Sequence, residues 1–128
     1  MFPQNYFDGN FVNEVSINIT SDTDTTGTVT LARGSFPFTV AAHDTAKVSL
    51  GYPDTVSVSD QIENKGIHVT AQQPVTVYGV NSRSFTGDAY LGLPTNVLGT
   101  DHIILGYANG DSLQGSGSAL WLPPMPPR

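Results

Sequence analysis

His43, His68 and His102 are the only imidazoles in the chain, and it has no cysteine. Nucleophilic catalysis near neutral pH needs a Ser, Thr or Cys beside a base that takes its proton, so a hydrolytic centre would have to use one of these three. None has a suitable setting. No Gly-x-Ser-x-Gly elbow opens a helix, and Gly115-Ser116-Gly117-Ser118 belongs to a low-complexity stretch. His68 alternates with strand residues and reads as a solvent-facing position. Carboxylate pairs of the glycosidase kind could exist among the 11 acidic residues, but spacing in sequence does not reveal them. The expectation is a protein with no catalytic residues and no cofactor, not an enzyme.

Asp22-Thr23-Asp24-Thr25-Thr26-Gly27 starts like a calcium loop, with oxygens on Asp22, Asp24 and Thr26 followed by a glycine that permits a sharp turn. The bidentate Glu that closes such a loop is missing, because Arg33 stands in its place, and a polar turn explains the same residues. Asn18-Ile19-Thr20 is a glycosylation sequon. Lys47 and Lys65, the only lysines, could in principle form an isopeptide staple, although Lys65 reads more simply as a turn residue in Asn64-Lys65-Gly66.

The stretch from Asn81 to Tyr90 is the more suggestive one. Arg83 and Asp88 could pair, and Phe85 and Tyr90 could pin a loop to a sheet. Polar, aromatic loops on a rigid framework are also where recognition surfaces are built. Two readings stand: a structural loop, or a binding surface made by Asn81, Arg83, Phe85, Asp88 and Tyr90.

Composition sets the elements that must carry these residues. Val, Ile and Thr number 12, 6 and 14, a quarter of the 128 residues, and such side chains suit a pleated, half-buried surface better than a helix. Val15 to Thr20 alternates as a half-buried strand, and Thr28 to Leu31 resumes the alternation after a polar turn, which predicts a hairpin. Phe36 to Val40 forms a third strand, placed at an edge or a strand start by Pro37, which has no amide donor. Ala46 to Leu50, Val56 to Val58 and Ile67 to Thr70 follow. Pro74 opens a run to Val80, apolar on both sides toward its end, that reads as a central strand. Ala89 to Leu93 and His102 to Tyr107 are the last candidates, with one helical turn around Pro94 to Leu98. About nine short strands at a spacing of roughly 8–12 residues predict an all-β fold, a two-sheet antiparallel β-sandwich or jelly roll.

The formal charge of −6 argues against nucleic acid as a partner, since phosphate binding needs clustered Lys and Arg. No apolar run approaches the roughly 18 residues that span a bilayer, so membrane insertion is not expected. Met1 is followed by neither a basic nor an apolar signal region, so a secreted form would have had its signal removed.

Three runs carry a resemblance: Ile62 to Thr70, Gln73 to Asn81 and Arg83 to Leu91. With Pro94 to Thr100 and Phe2-Pro3-Gln4-Asn5, they resemble the IgGFc-binding protein N-terminal domain. That family occurs in secreted mucin-associated and bacterial extracellular proteins, so the resemblance implies an extracellular or cell-surface adhesion or binding module without enzymatic activity. It carries over no ligand residues and does not transfer Fc binding. The family's domain is longer, and its members carry an apolar strand upstream of the Phe-Pro segment where Met1 stands here. A sheet lacking one strand is therefore expected.

The pattern changes after Tyr107. Residues 1–107 read as the sandwich domain and 108–128 as a Gly/Ser tether with a Pro-rich end. Between them, Ala119-Leu120-Trp121-Leu122 has little reason to stay in water. A sandwich short of a strand exposes a groove, and Leu120, Trp121 and Leu122 could fill it in their own domain or in a neighbour's. The expected function is a structural or adhesive module whose partner is itself, as a homo-oligomer or a filament built by strand or tail exchange. The alternative is recognition of an extracellular glycoprotein or glycan through residues 81–90.

Overall fold

The computed structural model describes residues 2–3, 14–56, 58, 61–83, 86–99, 101 and 103. They form a β-sandwich with almost no helix. The strands are β1 (Phe2–Pro3), β2 (Glu14–Ser21), β3 (Thr25–Leu31), β4 (Gly34–Val40), β5 (Asp44–Leu50), β6 (Thr55–Val56), β7 (His68–Ala71), β8 (Thr76–Arg83) and β9 (Thr86–Leu91). Single 3-10 turns lie at Tyr52–Asp54 and Thr95–Val97. The second is the helical turn the sequence placed around Pro94 to Leu98. The strand expected at His102 to Tyr107 lies outside the described residues except for Ile103, which is not in a strand.

One sheet has four strands in the order β5-β2-β8-β9, and the other has three in the order β4-β3-β7. Every pairing within them is antiparallel, while β1 and β6 make a short parallel pair. The alternation read from the sequence is what packs them. Val15, Ile17 and Ile19 leave β2 on one face, Val29 and Leu31 leave β3, Phe38 and Val40 leave β4, and all seven are buried in one cluster. Ile19 and Val29, both fully buried, sit on interior strands of their sheets. Removing a side chain of this size from water contributes about 1.5–3 kcal/mol each. Pro37 lies on β4, an edge strand whose one sheet neighbour is β3, as its missing donor requires.

The hairpin expected between β2 and β3 does not form. The two strands belong to different sheets, and the Ser21–Asp24 turn carries the chain from one to the other. The reason lies in the neighbouring crossovers, which use the turn's polar groups. The Ser21 carbonyl accepts from the His43 amide at 2.8 Å, and the Ser21 hydroxyl donates to the Pro74 carbonyl at 3.1 Å. Asp24 Oδ1 accepts from the Ala42 amide at 2.8 Å, and Thr25 Oγ1 accepts from the Gln73 amide at 3.0 Å. Three passages between the sheets (β2 to β3, β4 to β5 and β7 to β8) are thus tied together at one end of the sandwich.

A second tie holds the β3–β4 turn. Arg33 Nε donates to both carboxylate oxygens of Asp54, at 2.9 and 3.1 Å, and the Gly51 amide donates to Asp54 Oδ2 at 2.9 Å. The guanidinium also lies 4.5 Å from the centroid of the Phe36 ring. Burial pushes the Asp54 carboxyl up, but the bonds from Arg33 and Gly51 and the charges of Arg33 and Lys65 outweigh it and hold the group below its ordinary value. Asp54→Ala should therefore destabilise the fold at pH 7, toward the lower end of about 1.5–3 kcal/mol because Arg33 is largely solvent-screened. The lowered Asp54 contributes stability that is present above the ordinary carboxylate range, near pH 4, and lost as pH falls through its folded value. Urea denaturation at pH 7 and pH 3 checks this: the gap between parent and variant should be wide at the first pH and narrow at the second.

Candidate functional site

The stretch from Asn81 to Tyr90 is a hairpin rather than a loop. β8 runs through to Arg83 and β9 starts at Thr86, with Asn81 opposite Asp88, Arg83 opposite Thr86 and Gly79 opposite Tyr90. The polar residues that suggested a loop are held in strand geometry because β8 also pairs with β2 along seven positions, from Glu14↔Ser82 to Thr20↔Thr76. Asn81 is only 5% exposed and so belongs to the framework, whereas Asp88 is exposed and Tyr90 is 38% exposed. Phe85 and the Arg83 side chain lie outside the described residues, as do Leu120, Trp121 and Leu122.

The other sequence candidates are spread over the surface. Asp22 is fully exposed beside His43, at 3.8 Å, while Asp24 is committed to the Ala42 amide. Thr26 lies in β3 opposite Thr39, and its carbonyl accepts from the Gln72 amide at 3.1 Å. Among the described residues no group of three or more His, Cys, Asp or Glu side chains is placed to hold a metal ion. His68 is an exposed strand residue opposite Thr30. Asn18 lies in β2 between Lys47 and Tyr78 and donates to the Ser16 hydroxyl at 3.3 Å. Lys47 is paired with Glu14, whose carboxyl is lowered first by that hydrogen bond and then by the lysine's charge. The Lys65 ammonium donates to the Pro53 carbonyl.

What the structure does bring together is a groove on one flank. One sheet has four strands and the other three, and residues of β8 and β9 from the larger sheet and of β7 from the smaller line one space. The space between holds about 630 Å³. Ile17 and Val77 line it from the larger sheet and Val69 from β7, with Ile67 just ahead of that strand. Leu93 and Leu98 form a rim after β9, and the described lining residues include His68 but no Asp, Glu, Lys or Arg. Leu93 is 59% exposed, so the rim presents apolar surface to solvent. This is a lining suited to holding an apolar segment.

Gly79 and Tyr90 shape its depth. They are directly opposite on β8 and β9, and the phenol ring lies across the glycine. A Cβ at Gly79 would lie 2.5 Å from Tyr90 Cζ and 2.8 Å from its hydroxyl oxygen. Gly27 and Phe38 repeat the arrangement on the smaller sheet, where a Cβ at Gly27 would lie 2.5 Å from the Phe38 ring. Burial pushes the Tyr90 hydroxyl up to about 12. Sequence reasoning passed over Gly79, Val69, Val77, Leu93 and Leu98 as site residues. The available signal was the run Val75 to Val80, whose apolar residues exceed what one covering sheet can bury.

No protein-family model matches the chain, nor does any curated protein or solved structure.

Gly79→Val should displace the Tyr90 ring and return its titration toward the ordinary tyrosine value near 10. Spectrophotometric titration of the parent should show a tyrosine ionisation near 12, and the variant should lose that step. Because the folded value is raised, the stability that Tyr90 contributes is intact below pH 10 and declines as pH climbs toward 12.

Proposed function

We propose that this protein is a non-catalytic structural or adhesive module of an extracellular protein, and that copies associate end to end by exchanging an apolar segment into the flank groove. The observation that carries the reading is the groove beside β7 and β9, whose described lining is mostly apolar and includes no Asp, Glu, Lys or Arg. Edge strands present unpaired backbone groups, and an extended segment laid beside one gains main-chain hydrogen bonds while its side chains fill the adjoining space. The resemblance of residues 62–91 to the IgGFc-binding protein N-terminal domain supports the extracellular placement. A contact between a tail and a groove joins two different surfaces, so nothing requires it to close after two copies, and an open filament follows.

Size-exclusion chromatography with light scattering and negative-stain microscopy test this on the full chain and on a form lacking residues 116–128. The full chain should gain mass as concentration rises and form elongated particles, while the shortened form stays monomeric. Monomeric full chain up to millimolar concentration, or equal polymer from both forms, contradicts the reading.

A further inference from the structure

We infer that Asn18 is an N-glycosylation site whose first sugar lies against the ring of Tyr78, so that the outer face of the four-stranded sheet carries an oligosaccharide. Its occurrence in nature rests on the extracellular reading above, while the site itself stands on separate observations.

Of the eight asparagines in the chain, only Asn18 begins an Asn-x-Ser/Thr sequon, here Asn18-Ile19-Thr20. The strand period decides where it points. Val15, Ile17 and Ile19 leave β2 toward the core, so Asn18 and Thr20 leave it by the opposite face. Both are half-buried and reach solvent. A register shifted by one residue would turn the asparagine into the core, where no sugar fits. The residues directly opposite Asn18 on this outer face are Lys47 on β5 and Tyr78 on β8. Lys47 reaches along the face to Glu14, and Tyr78 is 43% exposed. Facing residues of an antiparallel pair have Cβ atoms about 4.5–5.5 Å apart. A sugar joined to Asn18 Nδ2 therefore meets the phenol ring, whose negative face attracts the C–H groups of a pyranose.

The donor is a lipid-diphosphate-linked oligosaccharide that begins with N-acetylglucosamine, and the host's membrane-bound transferase supplies a base. Asn18 Nδ2 forms a bond to C1 of that sugar as the C1–O bond to the diphosphate breaks. The lipid diphosphate leaves with the electron pair, and the nitrogen gives one of its two protons to the base. In the fold Nδ2 donates to Ser16 Oγ at 3.3 Å, a bond that the remaining N–H can keep. Transfer comes before β2 is paired, because β5 and β8 afterwards flank Asn18 on both sides. The finished sheet then has only to accept the sugar, and the next row of this face, Thr45, Thr20 and Thr76, is short and polar. A bulky glycan there also keeps two copies from stacking by this face.

The full chain, made behind a heterologous secretion signal in a glycosylating eukaryotic host, tests this by peptide mass spectrometry before and after an N-glycosidase. The expected result is one oligosaccharide, on Asn18, in most of the secreted chain. Asn18→Gln and Thr20→Ala should each lose it, and Thr20→Ser should lower its occupancy several-fold. The glycosylated chain should melt about 2–5 °C above the same chain made unglycosylated in bacteria, the shift that one modest contact makes in a domain of this size. Tyr78→Ala should keep the glycan and abolish that gain. An unmodified Asn18 would overturn the inference. So would a glycosylated chain retained in the cell while Asn18→Gln is secreted, because the fold would then reject the sugar. Equal melting temperatures with and without the glycan would overturn the contact with Tyr78. Because the signal is supplied, none of these failures touches the extracellular reading, and a native protein found only inside cells would remove that reading while the site stands as tested.

Discussion

The burial of Ile19 against the opposite sheet that carries Val29 is the contact on which the rest of this structure depends. Each residue sits on an interior strand of its sheet, and each is wholly removed from water. A strand that alternates apolar and polar side chains has one face to hide, and two such sheets can only hide them against each other. Once the buried faces of β2 and β3 share one core, their neighbours are constrained. β5 and β8 flank β2, β4 and β7 flank β3, and three chain passages cross at one end, where Ser21, Asp24 and Thr25 tie them. Hydrogen bonds then settle the geometry that hydrophobic burial makes favourable.

The unequal width of the two sheets turns a packing solution into a surface with a use. Among the described residues β9 adds a fourth strand on one side and β7 has no partner beyond it, and aliphatic side chains there line a groove. The Gly79–Tyr90 pair shows how the edge remains stable. A glycine in a strand lacks a side chain to pack, and an aromatic ring from the neighbouring strand supplies the missing contact. Gly27 and Phe38 do the same on the other sheet, where the ring is fully covered. Phe38 is buried at 7% exposure, whereas Tyr90 is left 38% exposed.

Much of this was legible in the residues. The alternation of β2, the edge position of Pro37, the interior position of β8 and the turn after Pro94 all follow from side-chain period and proline geometry, which are local properties. Pairing partners were not legible, because β2 and β3 are adjacent in sequence yet belong to different sheets, and only long-range contacts decide that. The stretch 81–90 misled for a related reason: Asn81, Ser82 and Gly87 have poor strand propensity, and pairing with β2 and β9 overrides it. The calcium-like spacing of Asp22, Asp24 and Thr26 has a different use in the fold, since Asp24 accepts the Ala42 amide. The groove was legible only as an excess of apolar residues around Val75 to Val80.

Amide hydrogen exchange followed residue by residue tests the central claim most directly. If the contact between these two interior strands holds the sandwich, amides in the centres of β2 and β3 exchange only through global unfolding, while those of β7 and β9 exchange earlier through local opening of the flank. Protection at β7 or β9 exceeding that of β2 and β3, or uniformly weak protection across all strands, would contradict the account.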